Sequence, residues 1–160
     1  MATDLRWGRR ELVDVEGVRI HVETAGPEAG PTLVCLHGFA SGTFTWAGVA
    51  EALAGELRVV AWDRPPFGRS ERPRPRTGAD DPYGLPAELA RTATLVERLA
   101  GGGPIVVVGH SAGALLAVQA ALAGSVRADG LVLIAPAVDG GPPDLVRRLA
   151  GLPGSGLVAA

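Results

Sequence analysis

The sequence lacks several features that would point to particular classes of protein. Its 160 residues include no lysine, so its permanent positive charge comes from arginine alone, and aromatic residues make up only 4%. The net charge is −2 at pH 7. A chain with so small a net charge has no strong electrostatic attraction to nucleic acid or to an anionic membrane surface. We therefore expect neither as a partner, and the sequence does not indicate an oligomeric state.

Cysteine and long apolar segments are scarce as well. The single cysteine, Cys35, excludes an internal disulfide and fits a reducing compartment. The N-terminus has no apolar core of a signal peptide, and no apolar run approaches the roughly 20 residues that a membrane helix needs. No histidine or carboxylate cluster has the spacing of metal ligands. The sequence thus predicts a cytoplasmic protein of one domain, with no metal and no cofactor.

What the sequence does contain is a regular alternation of apolar runs and helical patterns. Four continuous apolar runs are typical of strands buried on both faces of a parallel sheet: PTLVCLHG, LRVVAWD, PIVVVG and GLVLIAP. Upstream, ELVDVEGVRIHVETAG predicts two strands around a turn at Glu16 and Gly17. In the second of these strands apolar and polar residues alternate, which predicts a half-buried strand with His21 at the surface.

Helices are predicted between these strands, over residues 43–55, 86–100 and 112–123. Ser41 or Thr43 is available as the N-cap of the first helix, since a side-chain oxygen there can accept from free backbone N–H groups. Strands that alternate with helices form right-handed crossovers. The fold class is therefore α/β, with a mostly parallel, twisted sheet that carries helices on both faces.

The pentapeptide Gly-His-Ser-Ala-Gly stands where a buried strand ends and a helix begins. A sharp turn there holds its central residue, Ser111, in a strained backbone conformation and needs small neighbours, which Gly109 and Gly113 provide. Ser111 then projects its hydroxyl beside a helix N-terminus, where free N–H groups favour negative charge. Ser111 is the candidate nucleophile. His110 adjoins it, but neighbouring side chains at a tight turn point apart, so His110 is not expected to be the base.

A second motif follows an earlier buried strand, where LVCLHGFASG places a His-Gly-Phe tripeptide at residues 37–39. A serine enzyme that transfers acyl groups needs two donors for the oxyanion. We predict that these are the backbone N–H groups of Phe39 and Ala112. Gly38 lets the loop turn in closely, and His37 is expected to hold the loop in place.

A third motif, VVAWDRPPFGRSERP, ends the next strand with an Asp-Arg-Pro turn. With these three motifs in this order, residues 12–140 resemble the α/β-hydrolase superfamily, in particular its bacterial single-domain fold-1 members. The resemblance implies a serine hydrolase that acts on an ester-like or other small carbonyl substrate through a Ser111 acyl-enzyme. Relatives that open epoxides or displace halide carry Asp at the position that corresponds to Ser111. Cofactor-free perhydrolases and C–C bond hydrolases share the serine.

The resemblance also implies residues that this sequence does not supply. In the superfamily the chain order is nucleophile, acid, histidine, and none of the three histidines, His21, His37 and His110, follows Ser111. Asp139 is a candidate acid, although the two glycines after it favour a turn. We expect a hydrolase domain truncated after about six strands, with residues 141–160 at the start of a lid segment, and inactive alone. The alternative is a pseudo-hydrolase that binds a ligand in the same pocket.

Overall fold

A computed structural model describes residues 7–137 of the chain, which form one six-stranded sheet. Its strands are β1 (Arg9–Val15), β2 (Val18–Ala25), β3 (Gly30–Leu36), β4 (Arg58–Trp62), β5 (Gly102–His110) and β6 (Gly130–Ile134). Their order across the sheet is β1-β2-β4-β3-β5-β6. The pairs of β4 with β3, β3 with β5 and β5 with β6 are parallel, whereas β2 is antiparallel to both of its neighbours. The predicted six-stranded, mostly parallel sheet is therefore confirmed.

In the described part of the chain, three α-helices connect the strands: α1 (Ala47–Leu53), α2 (Leu85–Leu99) and α3 (Ala112–Leu122). A short 3₁₀ turn, Thr43–Trp46, precedes α1, so the first predicted helix begins as 3₁₀ rather than as α. A second 3₁₀ turn, Gly78–Asp80, lies in the polar loop before α2. Within residues 7–137, no helix combines the length and the apolar character that crossing a bilayer requires.

The sheet separates two apolar layers, and the central strands contribute to both. Val34 and Leu36 of β3 pack in the layer that contains α2 and α3, while Leu33 and Cys35 pack in the layer that contains α1. Because both faces of β3 are covered, its sequence is a continuous apolar run rather than an alternating one. Cys35 is fully buried, and burial raises the pKa of its thiol far above the ordinary value. It is a protonated core residue.

The prediction that His21 lies at the surface of β2 is wrong. His21 is only 5% exposed, and Glu23, on the same face, is fully buried. Both side chains are paired, since His21 Nδ1 lies 2.9 Å from Asp63 Oδ2 and Arg10 Nε lies 2.6 Å from Glu23 Oε1. Buried charged groups are tolerated when they are paired in this way. The alternation in β2 therefore marks a strand that is buried on both faces, one face being polar.

The predicted N-cap of the first helical segment is wrong as well. Neither Ser41 nor Thr43 caps it through a side chain, and the N-cap position is taken by Gly42. The first free N–H group, that of Thr43, instead donates to Asp63 Oδ1 at 2.7 Å. A carboxylate from a distant loop thus does the work of a local capping side chain, because it supplies the same acceptor at a helix N-terminus.

β6 is the last strand within residues 7–137, and among them it pairs with β5 alone. Its apolar side chains are between 40% and 46% exposed on both faces: Leu131, Val132, Leu133 and Ile134. An exposed apolar edge strand promotes association with other chains. The predicted lid segment at 141–160 lies outside the described residues.

The start of α3 is in close backbone contact with β3 and β5. A Cβ atom at Gly113 would come within 3.0 Å of the carbonyl oxygens of Leu36 and His37, a distance that real Cβ atoms do not show. A Cβ atom at Gly109 would come equally close to the backbone of Gly113 and Ala114. Only glycine fits at 109 and 113, and this places the N-terminus of α3 directly against the carboxyl end of the sheet.

Replacing Gly113 by alanine should therefore lower the free energy of unfolding by about 3 kcal/mol or more, because the clash is with backbone that cannot move aside. Gly48→Ala is the matched control, since Gly48 lies in α1 and a Cβ there meets nothing within 4 Å. That change should leave the stability unchanged or raise it by up to about 1 kcal/mol. Urea unfolding followed by circular dichroism measures both, and a Gly113→Ala chain as stable as the wild type would contradict the packing described.

Candidate active site

Ser111 occupies the turn between β5 and α3 in a backbone conformation that L-residues rarely adopt. Its φ is 53° and its ψ is −116°. A non-glycine residue held in such a region stores on the order of 1–3 kcal/mol of strain, which the surrounding structure has to maintain. Here the Ser111 N–H donates to Ile134 O of β6 at 2.9 Å, and the Ser111 carbonyl accepts from the N–H of Ala114 at 3.0 Å. The turn is thus fixed on both sides.

The His-Gly-Phe loop after β3 lies directly against this turn. A Cβ atom at Gly38 would be 3.2 Å from Ser111 Cβ and 3.1 Å from His110 Nδ1. The backbone that leads into Phe39 is therefore beside the serine. Ala112 follows the serine as the first residue of α3, a position whose N–H has no acceptor within the helix. The structure thus places Gly38 and Ala112 next to Ser111.

The side chain of His37 is enclosed beneath the same loop. Its Nδ1–H donates to Gly38 O at 2.7 Å, and its Nε2 accepts the backbone N–H of Arg64 at 2.8 Å. These two contacts require the neutral ring with the proton on Nδ1. Burial, and next the nearby Arg64 cation, lower the pKa of His37 to about 4. His37 is a neutral connection between the loop after β3 and the loop after β4.

Asp63, directly after β4, is a buried carboxylate that accepts three hydrogen bonds. The donors are the Thr43 N–H at 2.7 Å, the Arg69 N–H at 2.8 Å and His21 Nδ1 at 2.9 Å. Burial alone would raise the pKa of Asp63, but the hydrogen bonds from His21, Arg69 and Thr43 outweigh it and hold the pKa below its ordinary value. Asp63 is therefore ionised at neutral pH, and it joins three separate segments of the chain.

Two glycines make room for this carboxylate. A Cβ atom at Gly42 would lie 2.7 Å from Asp63 Oδ1, and one at Gly68, whose φ is 57°, would come within 3.0 Å of the Asp63 side chain. Ser70 completes the arrangement, since its Oγ donates to Asp63 O at 2.5 Å and accepts the His21 N–H at 2.9 Å. The side chain of Arg64, next to Asp63, donates through Nη1 to Glu88 Oε2 of α2 at 3.3 Å.

The profile of the alpha/beta hydrolase family matches residues 33–159 of this chain. The match begins within β3 and includes the turn at Ser111 and β6, which carry the geometry described above. This chain belongs to the alpha/beta hydrolase family.

Individual members of the family show the extent of the similarity. The chain is 34% identical to epoxide hydrolase B of Mycobacterium tuberculosis over 147 residues, which is 90% of this chain and 38% of that protein. It is 32% identical to lipase LipV of the same organism over 121 residues, which is 76% of this chain and 43% of that protein. The structure superposes on the thioesterase domain from the curacin biosynthetic pathway with a TM-score of 0.73 and 27% identity, covering 89% of this chain and 51% of that one. The chain thus spans about half, or less, of the length of these relatives.

The three histidines of this alpha/beta hydrolase chain differ in what their rings contact. His21 is bonded to Asp63, both ring nitrogens of His37 are occupied, and buried His110 Nδ1 has no partner. Within residues 7–137, no histidine ring is hydrogen-bonded to the Ser111 hydroxyl. Asp139, the candidate acid, lies outside the described residues.

Sequence reasoning missed His21 and the central role of Asp63. The available signal was the Asp-Arg-Pro turn itself, which places a carboxylate at the carboxyl end of a buried strand. Its partners, however, are 42, 20 and 6 residues away along the chain. No periodicity links such residues, so only the folded structure shows that they meet.

The depressed pKa of His37 predicts a stability that falls on acidification. The unfolded chain takes up a proton near pH 6.5, whereas the folded chain resists it until about pH 4. The contribution is therefore complete above pH 6.5 and is lost as pH falls from 6.5 to 4, by about 3 kcal/mol in total. Urea titrations at a series of pH values should show this slope, and His37→Gln, which cannot titrate, should flatten it. An equal slope in the two proteins between pH 6.5 and 4 would refute the assignment.

Proposed function

We propose that the protein is a serine hydrolase that acts on an ester-like or other small carbonyl substrate through an acyl-enzyme on Ser111. The observation that carries the proposal is the position of Ser111, held at positive φ at the start of α3 with the Gly38–Phe39 backbone against it. We take the backbone N–H groups of Phe39 and Ala112 as the two donors to the carbonyl oxygen of the substrate. Such an arrangement fits the negative oxygen that develops when a serine attacks a carbonyl.

In the proposed reaction Ser111 Oγ loses its proton to a base and forms a bond to the carbonyl carbon. The carbonyl oxygen takes the electron pair and is stabilised by the N–H groups of Phe39 and Ala112 and by the N-terminus of α3. The leaving group departs with a proton, and water then releases the acyl group and restores the hydroxyl. The proposal gives supporting places in the loop and the turn to His37, Gly38, Gly109, His110 and Gly113. Within residues 7–137, neither of the two histidine rings among them is hydrogen-bonded to the Ser111 hydroxyl.

The relatives are named for several different activities, since they include a lipase, an epoxide hydrolase and a thioesterase domain. Serine at position 111 favours carbonyl substrates here, since members of the superfamily that open epoxides carry Asp at this position. A cofactor-free reaction in the cytoplasm is part of the same proposal. It is supported by the buried, reduced Cys35 and by a mechanism that needs only side chains and water.

We further propose that the 160-residue chain is inactive alone, and that the acid and the histidine base are encoded downstream of residue 160. None of the three histidines in the sequence is hydrogen-bonded to Ser111 within the described residues, and a serine hydroxyl without a base is a weak nucleophile. The partial coverage of the relatives supports the same idea.

The coding sequence after codon 160 should therefore continue in frame with further strands and helices and with an Asp or Glu followed by a His. With that continuation, the protein should hydrolyse 4-nitrophenyl acetate, and Ser111→Ala should lower kcat by about 10⁴- to 10⁶-fold. Ser125→Ala, a change just beyond the far end of α3, is the matched control and should leave kcat unaltered. An open reading frame without a downstream acid and histidine would contradict the proposal for this gene.

The 160-residue chain itself should hydrolyse the same ester only slightly faster than its Ser111→Ala variant, because the oxyanion donors remain but the base does not. Ordinary enzymatic rates from this chain, abolished by Ser111→Ala, would show that it carries its own base. Saturable ligand binding that Ser111→Ala leaves unchanged, without turnover in the longer protein, would instead favour the non-catalytic binding module.

A further inference from the structure

Two consecutive residues, Asp63 and Arg64, hold the two ends of the loop that carries Phe39. At the first end the Arg64 N–H donates to His37 Nε2 at 2.8 Å. At the second end Asp63 Oδ1 accepts the Thr43 N–H at 2.7 Å. Only residues 38–42 lie between these anchors. The position of the Phe39 N–H relative to Ser111 is therefore set by how firmly each anchor is fixed.

The anchor at Thr43 depends on the orientation of a carboxylate. Asp63 uses Oδ1 for Thr43, and its Oδ2 accepts from the Arg69 N–H at 2.8 Å and from His21 Nδ1 at 2.9 Å. Of these three donors, His21 is the only one supplied by a side chain. Rotation of the Asp63 carboxylate away from Thr43 would break all three contacts together, so each donor helps to hold the other two.

His21 is itself rigidly held. Its backbone N–H donates to Ser70 Oγ at 2.9 Å and its carbonyl accepts the Asp63 N–H at 2.9 Å, so its ring leaves the backbone at a fixed point. Because an ionised carboxylate only accepts, Nδ1 of His21 has to carry the proton. The competing position for the proton, Nε2, faces Glu23 Oε1 at 3.9 Å, which is too long for a hydrogen bond, and Arg10 already holds that carboxylate.

We propose that His21 is a positioning residue for the oxyanion site. By donating Nδ1–H to Asp63, it fixes the carboxylate that anchors Thr43 and thereby the far end of the loop that carries the Phe39 N–H. His21 touches neither Ser111 nor substrate. The proposal rests on the proposed function only in that the Phe39 N–H is taken as an oxyanion donor.

The first measurement needs no substitution. A long-range ¹H–¹⁵N correlation spectrum of the 160-residue chain at neutral pH shows which ring nitrogens of His21 are protonated. We expect Nδ1 to carry a proton. A ring protonated on Nε2 alone would overturn the proposal, because it has nothing to donate to Asp63.

The second measurement is amide hydrogen exchange in three variants. His21→Leu removes the donor at similar volume, and His21→Asn keeps an N–H donor at the position of Nδ1. Arg19→Gln is the matched control, because Arg19 lies two residues before His21 on β2 and its ion pair with Glu71 is exposed, and an exposed ion pair adds little to stability. We expect the Thr43 and Arg69 amides to exchange about tenfold faster or more in His21→Leu, because a hydrogen bond to a charged group is lost. His21→Asn and Arg19→Gln should stay within about threefold of the wild type.

The paired amides of β3 and β5, for example those around Val34 and Val107, report the stability of the core and should change little. Equal acceleration at these amides and at Thr43 would indicate general destabilisation and overturn the proposal, as would a His21→Leu chain whose Thr43 and Arg69 amides exchange as in the wild type. If His21→Leu does not fold, the protonation measurement still decides the matter.

These outcomes are separable from those of the proposed function. The exchange experiment does not involve Ser111 chemistry, so the same pattern is expected in a Ser111→Ala background. If that pattern appears while Ser111→Ala has no effect on hydrolysis in the longer protein, the proposed function fails and the anchoring by His21 stands. If hydrolysis depends on Ser111 but the Thr43 and Arg69 amides exchange at the wild-type rate in His21→Leu, the positioning role of His21 is contradicted and the proposed function stands.

Discussion

The buried carboxylate of Asp63 is the interaction on which the arrangement of the site depends. Taking a charge out of water is unfavourable, and removing one partner from a buried pair typically destabilises a protein by about 3–5 kcal/mol. Here His21, Thr43 and Arg69 surround the carboxylate with donors from β2, from the loop after β3 and from the loop after β4. β2 is also held by its pairing with β1 and β4, whereas the loops after β3 and β4 are attached to it through this carboxylate at Thr43 and Arg69. The Asp63 carboxylate therefore connects β2, the loop after β3 and the loop after β4 through hydrogen bonds.

A second constraint acts on the other side of the serine. Gly109 and Gly113 let α3 approach β3 and β5 until backbone touches backbone, and this leaves Ser111 at a φ of 53° between them. The strain is small compared with the apolar burial of α3, whose Leu116, Ala117 and Ala120 are all in the core. The site is thus assembled from a rigid turn and a loop clamped at both ends. Such preorganisation is what stabilisation of a developing oxyanion requires.

The sequence was a reliable guide wherever the determining residues are neighbours. Continuous apolar runs predicted the buried strands, and the glycines around Ser111 predicted the sharp turn, because both features follow from local backbone and solvation requirements. It failed at His21, where alternation suggested a surface residue, and at the first helix, where a local cap was expected. In both cases the true partner is Asp63, a residue that local patterns do not connect with either segment. The sequence patterns did not predict the order of the strands across the sheet either.

By itself, then, the sequence determined the fold class, the candidate nucleophile and its neighbouring loop, since each is encoded by residue types within a short stretch. Only the tertiary structure decided which charges are buried, that His37 is neutral with a pKa near 4, and that Asp63 and Arg64 hold the two ends of one loop. The physical reason is that desolvation and hydrogen bonding act through space. The energy of a buried polar group depends on partners that the chain brings to it from tens of residues away.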